Sequence, residues 1–204
     1  MTTLILLCSC VRASNRMSSS TNVRIDQYKK GLELFFSYYE WFVEHNMDIL
    51  ITDNSCTNYL DELKSYIPDS IKYRCLENNK GTINKGSGVI GQWSDCIDII
   101  KEYDYIIHFE PRQLLQGINF FQEFIDCKMS QFTINPVSNT FNTGLFAIES
   151  NLLLSYIETC DLKYFDNNFI CIENHLYDFM KDKEYKIVDK MNVIWIDGNN
   201  EHHM

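Results

Sequence analysis

Alanine is nearly missing from this chain of 204 residues, occurring only at positions 13 and 147. With Asn, Ile, Lys and Tyr plentiful in its place, that scarcity reflects an AT-rich coding sequence and says nothing of activity. Other absences exclude more. No apolar run approaches the roughly 18 residues of a membrane-spanning helix. Eighteen Lys and Arg stand against 28 Asp and Glu, and a net charge of -10 argues against a nonspecific grip on nucleic acid or an anionic membrane, since both need clustered cations. The eight cysteines, at 8, 10, 56, 75, 96, 127, 160 and 171, contain no CxxC pair. Most fall inside apolar periodic segments as small hydrophobes do, which predicts reduced thiols and a cytoplasmic location. Leu4 to Val11 has no basic stretch before it and is followed by Arg12, so it reads as a strand and not as a secretion signal. Neither an internal repeat nor a low-complexity linker interrupts the chain, and a single domain is expected.

What is present fits a soluble globular protein, 45% hydrophobic and 23% charged. Thr3 to Cys10 is almost continuously apolar, the pattern of a strand covered on both faces, and Arg12 to Asn22 follows as a polar, Ser-rich loop. From Asp26, the residues Tyr28, Leu32, Phe35, Phe36, Tyr39, Phe42 and Val43 recur along one face of a helix. Met47 to Thr52 reads as a second strand, and Asn58 as the cap of a short helix that Pro68 stops. Ile71 to Leu76 is a third strand. Val89, Trp93, Cys96, Ile97 and Ile100 mark another helical face, and Tyr105 to Phe109 is a fourth strand. This alternation predicts βαβ units, hence an α/β fold with a mostly parallel, Rossmann-like sheet flanked by helices. In the second half, Ile118 to Ile125, Leu152 to Cys160 and Ile172 to Met180 read as helices. Gln131 to Asn135, Phe141 to Ile148, Tyr185 to Val188 and Val193 to Ile196 read as extended. His202 and His203 fall in a polar tail to which no chemistry is assigned.

Ligands of open parallel sheets bind beyond the carboxyl ends of the strands, where loops and helix N-termini converge. Unusual polar groups stand at that edge four times: Ser9 to Arg12, Asp53-Asn54-Ser55, Asn78 to Gly81, and Glu110-Pro111-Arg112. Each has an ordinary alternative. Asp53 can accept from a nucleobase or ribose, yet Asp-Asn-Ser is also good turn chemistry. Gly81, Gly86 and Gly88 permit close backbone approach beside Lys80 and Lys85, although their spacing matches no phosphate loop. Arg112 either meets an anion or pairs with Glu110 or a helix end.

The order of these segments resembles the nucleotide-sugar-dependent glycosyltransferases of the GT-A fold: a first strand, a strand ending in Asp-Asn-Ser, then NNKG before a helix, then a strand ending in an acidic turn. FNTGLFAIES (Phe141 to Ser150) is similar to the family's strand beside the acceptor, and IENHLYDF (Ile172 to Phe179) to its segment in which an acid leads a short helix. The resemblance spans roughly residues 3 to 180. It implies a nucleotide-binding half over residues 1–112 and an acceptor-side half over 113–204. It further implies a UDP- or GDP-type sugar donor held by Ser9, Cys10, Arg12, Asp53, Asn79, Gly81, Lys85 and Glu110, with Asp53 at the base. Asn142 and Gly144 would line the side of a glycan or other hydroxyl acceptor. Glu173 would be the general base of an inverting transfer, and additional domains or partner chains could complete the acceptor site.

The sequence departs from the family at the fourth strand. Asp-x-Asp, which binds Mn or Mg on the donor diphosphate, is replaced by Phe109-Glu110-Pro111-Arg112. Either Glu110 holds a metal with water, or Arg112 supplies the cation that the departing phosphate requires. Two rival expectations stand beside transfer: a non-catalytic nucleotide or sugar binder of the same fold, and a nucleotidyltransferase. The second is disfavoured because Ser9 to Arg16 lacks the glycines of a phosphate loop.

Overall fold

Strands that are apolar on both faces have to be covered on both, and that requirement organises the molecule. The protein is seen here as a computed structural model that describes residues 1–12, 21–55, 58–76, 83–197 and 200–203. The central sheet contains β1 (Thr3–Ser9), β2 (Met47–Asp53), β3 (Lys72–Cys75), β4 (Tyr105–Phe109), β6 (Gln131–Phe132), β9 (Leu145–Glu149) and β10 (Lys186–Ile187), in the order β10-β6-β9-β4-β1-β2-β3. The pairs β1–β2, β1–β4, β2–β3 and β6–β10 are parallel. Only β9 runs antiparallel to its neighbours β4 and β6. The expected α/β, mostly parallel, single-domain architecture is therefore the observed one.

On one face Ile5, Leu7, Ile51, Ile107 and Phe109 pack against α1 (Thr21–Phe36), α2 (Tyr39–Glu44) and α6 (Asn119–Cys127). Leu4, Leu6, Ile106, Phe146 and Ile148 pack on the other against α4 (Lys85–Ser94), α5 (Ile97–Ile100), α7 (Ser150–Thr159), α8 (Leu162–Asn168) and α9 (Ile172–Met180). The short α3 (Leu60–Leu63) continues as one turn of 3-10 helix at Lys64–Tyr66. Asn58 precedes it and accepts from the Leu60 amide.

Several expected elements are divided. The helix anticipated through Val43 breaks after Phe36, where the Ser37 hydroxyl donates back to the Leu34 carbonyl and the backbone tightens at Tyr38. Phe35 and Phe42 still stack, centroids 4.9 Å apart, so one apolar face continues across the break. Phe141 to Ile148 is likewise two strands. β8 (Thr140–Phe141) pairs with β7 (Ile134–Asn135), and the chain turns at Asn142 to Gly144 before β9 enters the main sheet. A third, three-stranded sheet joins β5 (Leu114–Leu115) to β11 (Val193–Asp197) and β12 (Asn200–His203), all antiparallel. The polar tail around His202 and His203 is thus a paired strand, because β11 offers its free edge to it.

Candidate functional site

The carboxyl ends of β1 and β2 are tied together by Asp53, which is 0% exposed. One carboxylate oxygen accepts from the Ser9 hydroxyl at 2.7 Å and the Val11 amide at 3.1 Å, and the other from the Ser55 amide at 2.8 Å. Ser9, expected among the ligand-binding residues, is buried in the same knot and shares its hydroxyl with the Thr52 carbonyl. Both residues stand at the predicted edge with their polar groups engaged by neighbouring chain. Arg12 is exposed, and its amide donates to Ser55 Oγ at 3.0 Å.

Beside this knot lies a group of buried side chains from three elements. Arg24, on α1, is 3% exposed and donates through Nε and Nη2 to the Cys10 carbonyl at 3.1 and 2.6 Å. The Cys10 amide donates to the Tyr28 hydroxyl at 2.8 Å. One turn of helix separates Arg24 from Tyr28, and the guanidinium lies 5.8 Å from the Tyr28 ring centre. Burial drives the Tyr28 phenol well above its ordinary range, so it remains a neutral hydrogen-bonding group.

The turn after β4 completes this group. Gln113 N–H closes it onto the Glu110 carbonyl at 3.0 Å, with Pro111 supplying a fixed φ. Gly31 of α1 rests on the Pro111 carbonyl so closely that a Cβ would collide with it. Arg112 is folded inward, 6% exposed, with Nε 3.6 Å from a Glu110 carboxylate oxygen. The same oxygen accepts from Gln113 Nε2 at 2.9 Å, while Gln113 Oε1 accepts from the Ile196 amide of β11. Burial alone would raise the Glu110 pKa. Arg112 first, then the Gln113 amide, His108 and Arg24, outweigh that and hold it below the ordinary carboxylate value.

On the far side of β4, the Glu110 amide donates to the Gly144 carbonyl at 2.9 Å. Gly144 is a necessity of packing, since a Cβ there would enter the Trp195 ring. Next to it, Thr143 Oγ1 donates to a Glu173 carboxylate oxygen at 3.1 Å, and Cys171 Sγ to the other at 2.9 Å. Glu173 occupies the first turn of α9, where the helix dipole favours a negative charge. The expected catalytic acid thus joins the same edge as Glu110 and Arg112. Asn142 is buried, with its amide donating to Thr133 Oγ1 at 3.0 Å. Lys85 is exposed and opens α4, whose first turn is capped by Asn84. Asn79 and Gly81 lie outside the described residues.

The donor set does not suit a divalent metal. Glu110 is the carboxylate the family pattern would assign to it, and that group already faces a guanidinium and an amide. Among the described residues no cluster of three His, Cys, Asp or Glu side chains is placed to hold an ion.

By sequence, neither a protein-family profile nor a curated protein matches this chain. By structure it is similar to a protein assigned as a nucleotide-diphospho-sugar transferase from Desulfovibrio desulfuricans, at a TM-score of 0.61 and 8% identity over 93% of this chain and 80% of that one. A cytidylyltransferase from Leptospira borgpetersenii is similar at 0.57 and 13% identity, over 93% and 76% of the two chains. The galactosyltransferase LgtC is similar at 0.50 and 8%, over 85% and 70%. At such identities the likeness establishes the fold alone. That fold is the GT-A type of the nucleotide-sugar transferases, and it is shared with an enzyme named for nucleotidyl transfer.

Reading the sequence missed Arg24, Tyr28, Gln113 and Thr143. Arg24 carried a usable signal, because it lies four residues before Tyr28 on the stripe that Leu32 and Phe35 continue, a charge on a buried face. Gln113 and Thr143 carried none.

Proposed function

We propose that this protein moves a sugar from a nucleoside diphosphate sugar of the UDP or GDP type to a hydroxyl of a glycan or other acceptor, with inversion at the anomeric carbon. The observation that carries the reading is the meeting of two chemistries at one sheet edge. Glu173 is oriented by Thr143, one residue from the Gly144 carbonyl that binds the Glu110 amide, and Arg112 sits two residues beyond Glu110. In the transfer, the acceptor O–H gives its proton to the Glu173 carboxylate as the oxygen bonds to the anomeric carbon. The bond from that carbon to phosphate oxygen breaks, and its electron pair leaves on the nucleoside diphosphate. Negative charge grows on that leaving group, and a preorganised guanidinium stabilises it more than it stabilises the intact donor.

Glu173→Gln removes the proton acceptor and keeps the shape. Transfer should fall by 100-fold or more, on the scale of a lost general base, while donor binding measured by calorimetry stays within twofold. Transfer retained in Glu173→Gln would overturn the assignment. Two other outcomes replace the reading as a whole. Donor binding with no release of nucleoside diphosphate marks a binding domain, and formation of a nucleotide sugar from a nucleoside triphosphate and a sugar phosphate marks a nucleotidyltransferase.

A further inference from the structure

Arg24 and Arg112 are both more than nine-tenths buried, yet neither guanidinium is fully matched. Arg24 uses Nε and Nη2 on the Cys10 carbonyl, a neutral acceptor. Beyond that carbonyl it faces the Tyr28 side chain, also neutral, and among the described residues no carboxylate lies within ion-pair distance of it. Arg112 faces Glu110 through Nε at 3.6 Å, too long for a hydrogen bond, and its two terminal nitrogens donate to no described residue. Arg24 is bonded to Cys10 just beyond β1, Arg112 lies in the turn beyond β4, and α1 touches that turn where Gly31 meets the Pro111 carbonyl, so both cations stand at the carboxyl edge of β1 and β4. Two buried guanidiniums and the part-exposed Glu110 carboxylate meet there, in a protein whose net charge is -10. Buried charges are costly unless paired and hydrogen-bonded. The unmet groups are planar, permanently charged donors, the chemistry that recognises phosphate oxygens bidentately.

We infer that Arg24 and Arg112 together form an anion cradle for the diphosphate of the donor, in the place a divalent metal takes in relatives with two acids after the fourth strand. The inference rests on the reading of this edge as a donor site. α1 delivers one arginine and the β4 turn the other, and Gly31 lets the two elements meet on the Pro111 carbonyl. Glu110 then serves as a positioning residue, keeping Arg112 folded inward through the ion pair, with Gln113 holding Glu110 in turn. The Cys10 carbonyl does the same for Arg24.

Pyrophosphate titrated into the intact protein by calorimetry tests this without reference to sugar transfer. In excess chelator the wild type should bind it, and added Mn or Mg should tighten binding less than threefold beyond its effect on free pyrophosphate. Arg24→Gln and Arg112→Gln should each weaken it at least tenfold. The double variant should lose less than the product of the two, because both groups contact one ligand. Arg24→Lys, which keeps the charge, should recover part of the affinity that Arg24→Gln loses. Binding that requires Mn or Mg in the wild type overturns the proposal without any variant, as does unchanged affinity in a folded Arg24→Gln. Pyrophosphate binding that follows this pattern in a protein inactive toward sugar donors would uphold the cradle and dismiss the transfer reaction. Transfer that persists in Arg24→Gln with unchanged affinity would do the reverse.

Discussion

Burial disfavours the charged imidazole of His108. The residue is fully buried on β4, stacked on Phe146 with ring centres 5.0 Å apart, and its Nδ1 accepts from Trp93 Nε1 at 3.2 Å. Burial lowers its pKa from 6.5 to about 4, partly opposed by Glu110. Between those values the unfolded chain binds a proton that the folded chain does not. Stability present above pH 6.5 is therefore lost as the pH falls toward 4, by about 3 kcal/mol at roughly 1.4 kcal/mol per decade. Denaturant unfolding at successive pH values should show this slope in the wild type and a shallower one in His108→Gln. Equal slopes would mean another group titrates there. Gly144 makes a second prediction at this scale. Gly144→Ala drives a methyl into the Trp195 ring, and the overpacking should cost about 1–3 kcal/mol, read as a lowered urea midpoint. An unchanged midpoint would show that β11 moves away freely.

Among the elements, α4 and α9 depend on one side chain. Asn84 caps α4 by accepting from the Gly86 amide at 2.8 Å, while its Nδ2 donates to the carbonyls of Phe165 and Ile170, at 3.0 and 2.8 Å. One of these carbonyls lies in α8 and the other in the short connection that leads into α9, so the cap that starts one helix also helps place the acid that starts another. Asn84→Ala removes a cap worth about 1 kcal/mol and takes the side-chain donor from the Ile170 carbonyl, at about 1–3 kcal/mol, while the Phe165 carbonyl keeps its backbone donors at Phe169 and Ile170. Thermal unfolding should report that loss. Transfer should fall more than donor binding, because Glu173 is displaced while the arginines are untouched. A variant with normal turnover would separate Asn84 from the site. The helices also show where pattern reading stops. Tyr28, Leu32 and Phe35 announced α1, and α4 began four residues before Val89 because its first turn, Lys85 to Gly88, is too poor in large apolar side chains to show a period. The division of 141–148 into β8 and β9 was invisible for a related reason. Alternation fits one strand or two, and the bend at Asn142 to Gly144 is imposed by Thr133, Trp195 and Glu110 from elsewhere in the chain.

At the scale of the whole molecule, the C-terminal segment closes the site it follows by some 80 residues. β11 pairs with β5, its Ile196 amide holds Gln113, and Trp195 covers Gly144. A chain ending at Asn192 should lose the anchor of the Glu110–Arg112 turn. Ligand at 100 times its dissociation constant stabilises a protein by about 2.7 kcal/mol, and the thermal shift that a nucleoside diphosphate produces in the full chain should disappear in the truncated one. A preserved shift would place the nucleotide away from this turn.

The sequence by itself determined the alternation of strands and helices, the burial of the sheet on both faces, and the edge at which polar groups collect. These follow from side-chain period and from residues near in the chain, which a linear reading can count. Only the tertiary structure decided what each polar group does. Asp53 joins two strand ends, Glu110 faces Arg112, and Arg24 arrives from a helix that local pattern would have placed in the core. Such assignments depend on distances between residues tens of positions apart. Hydrogen bonding and charge are settled by those distances, and the order of residues along the chain does not specify them.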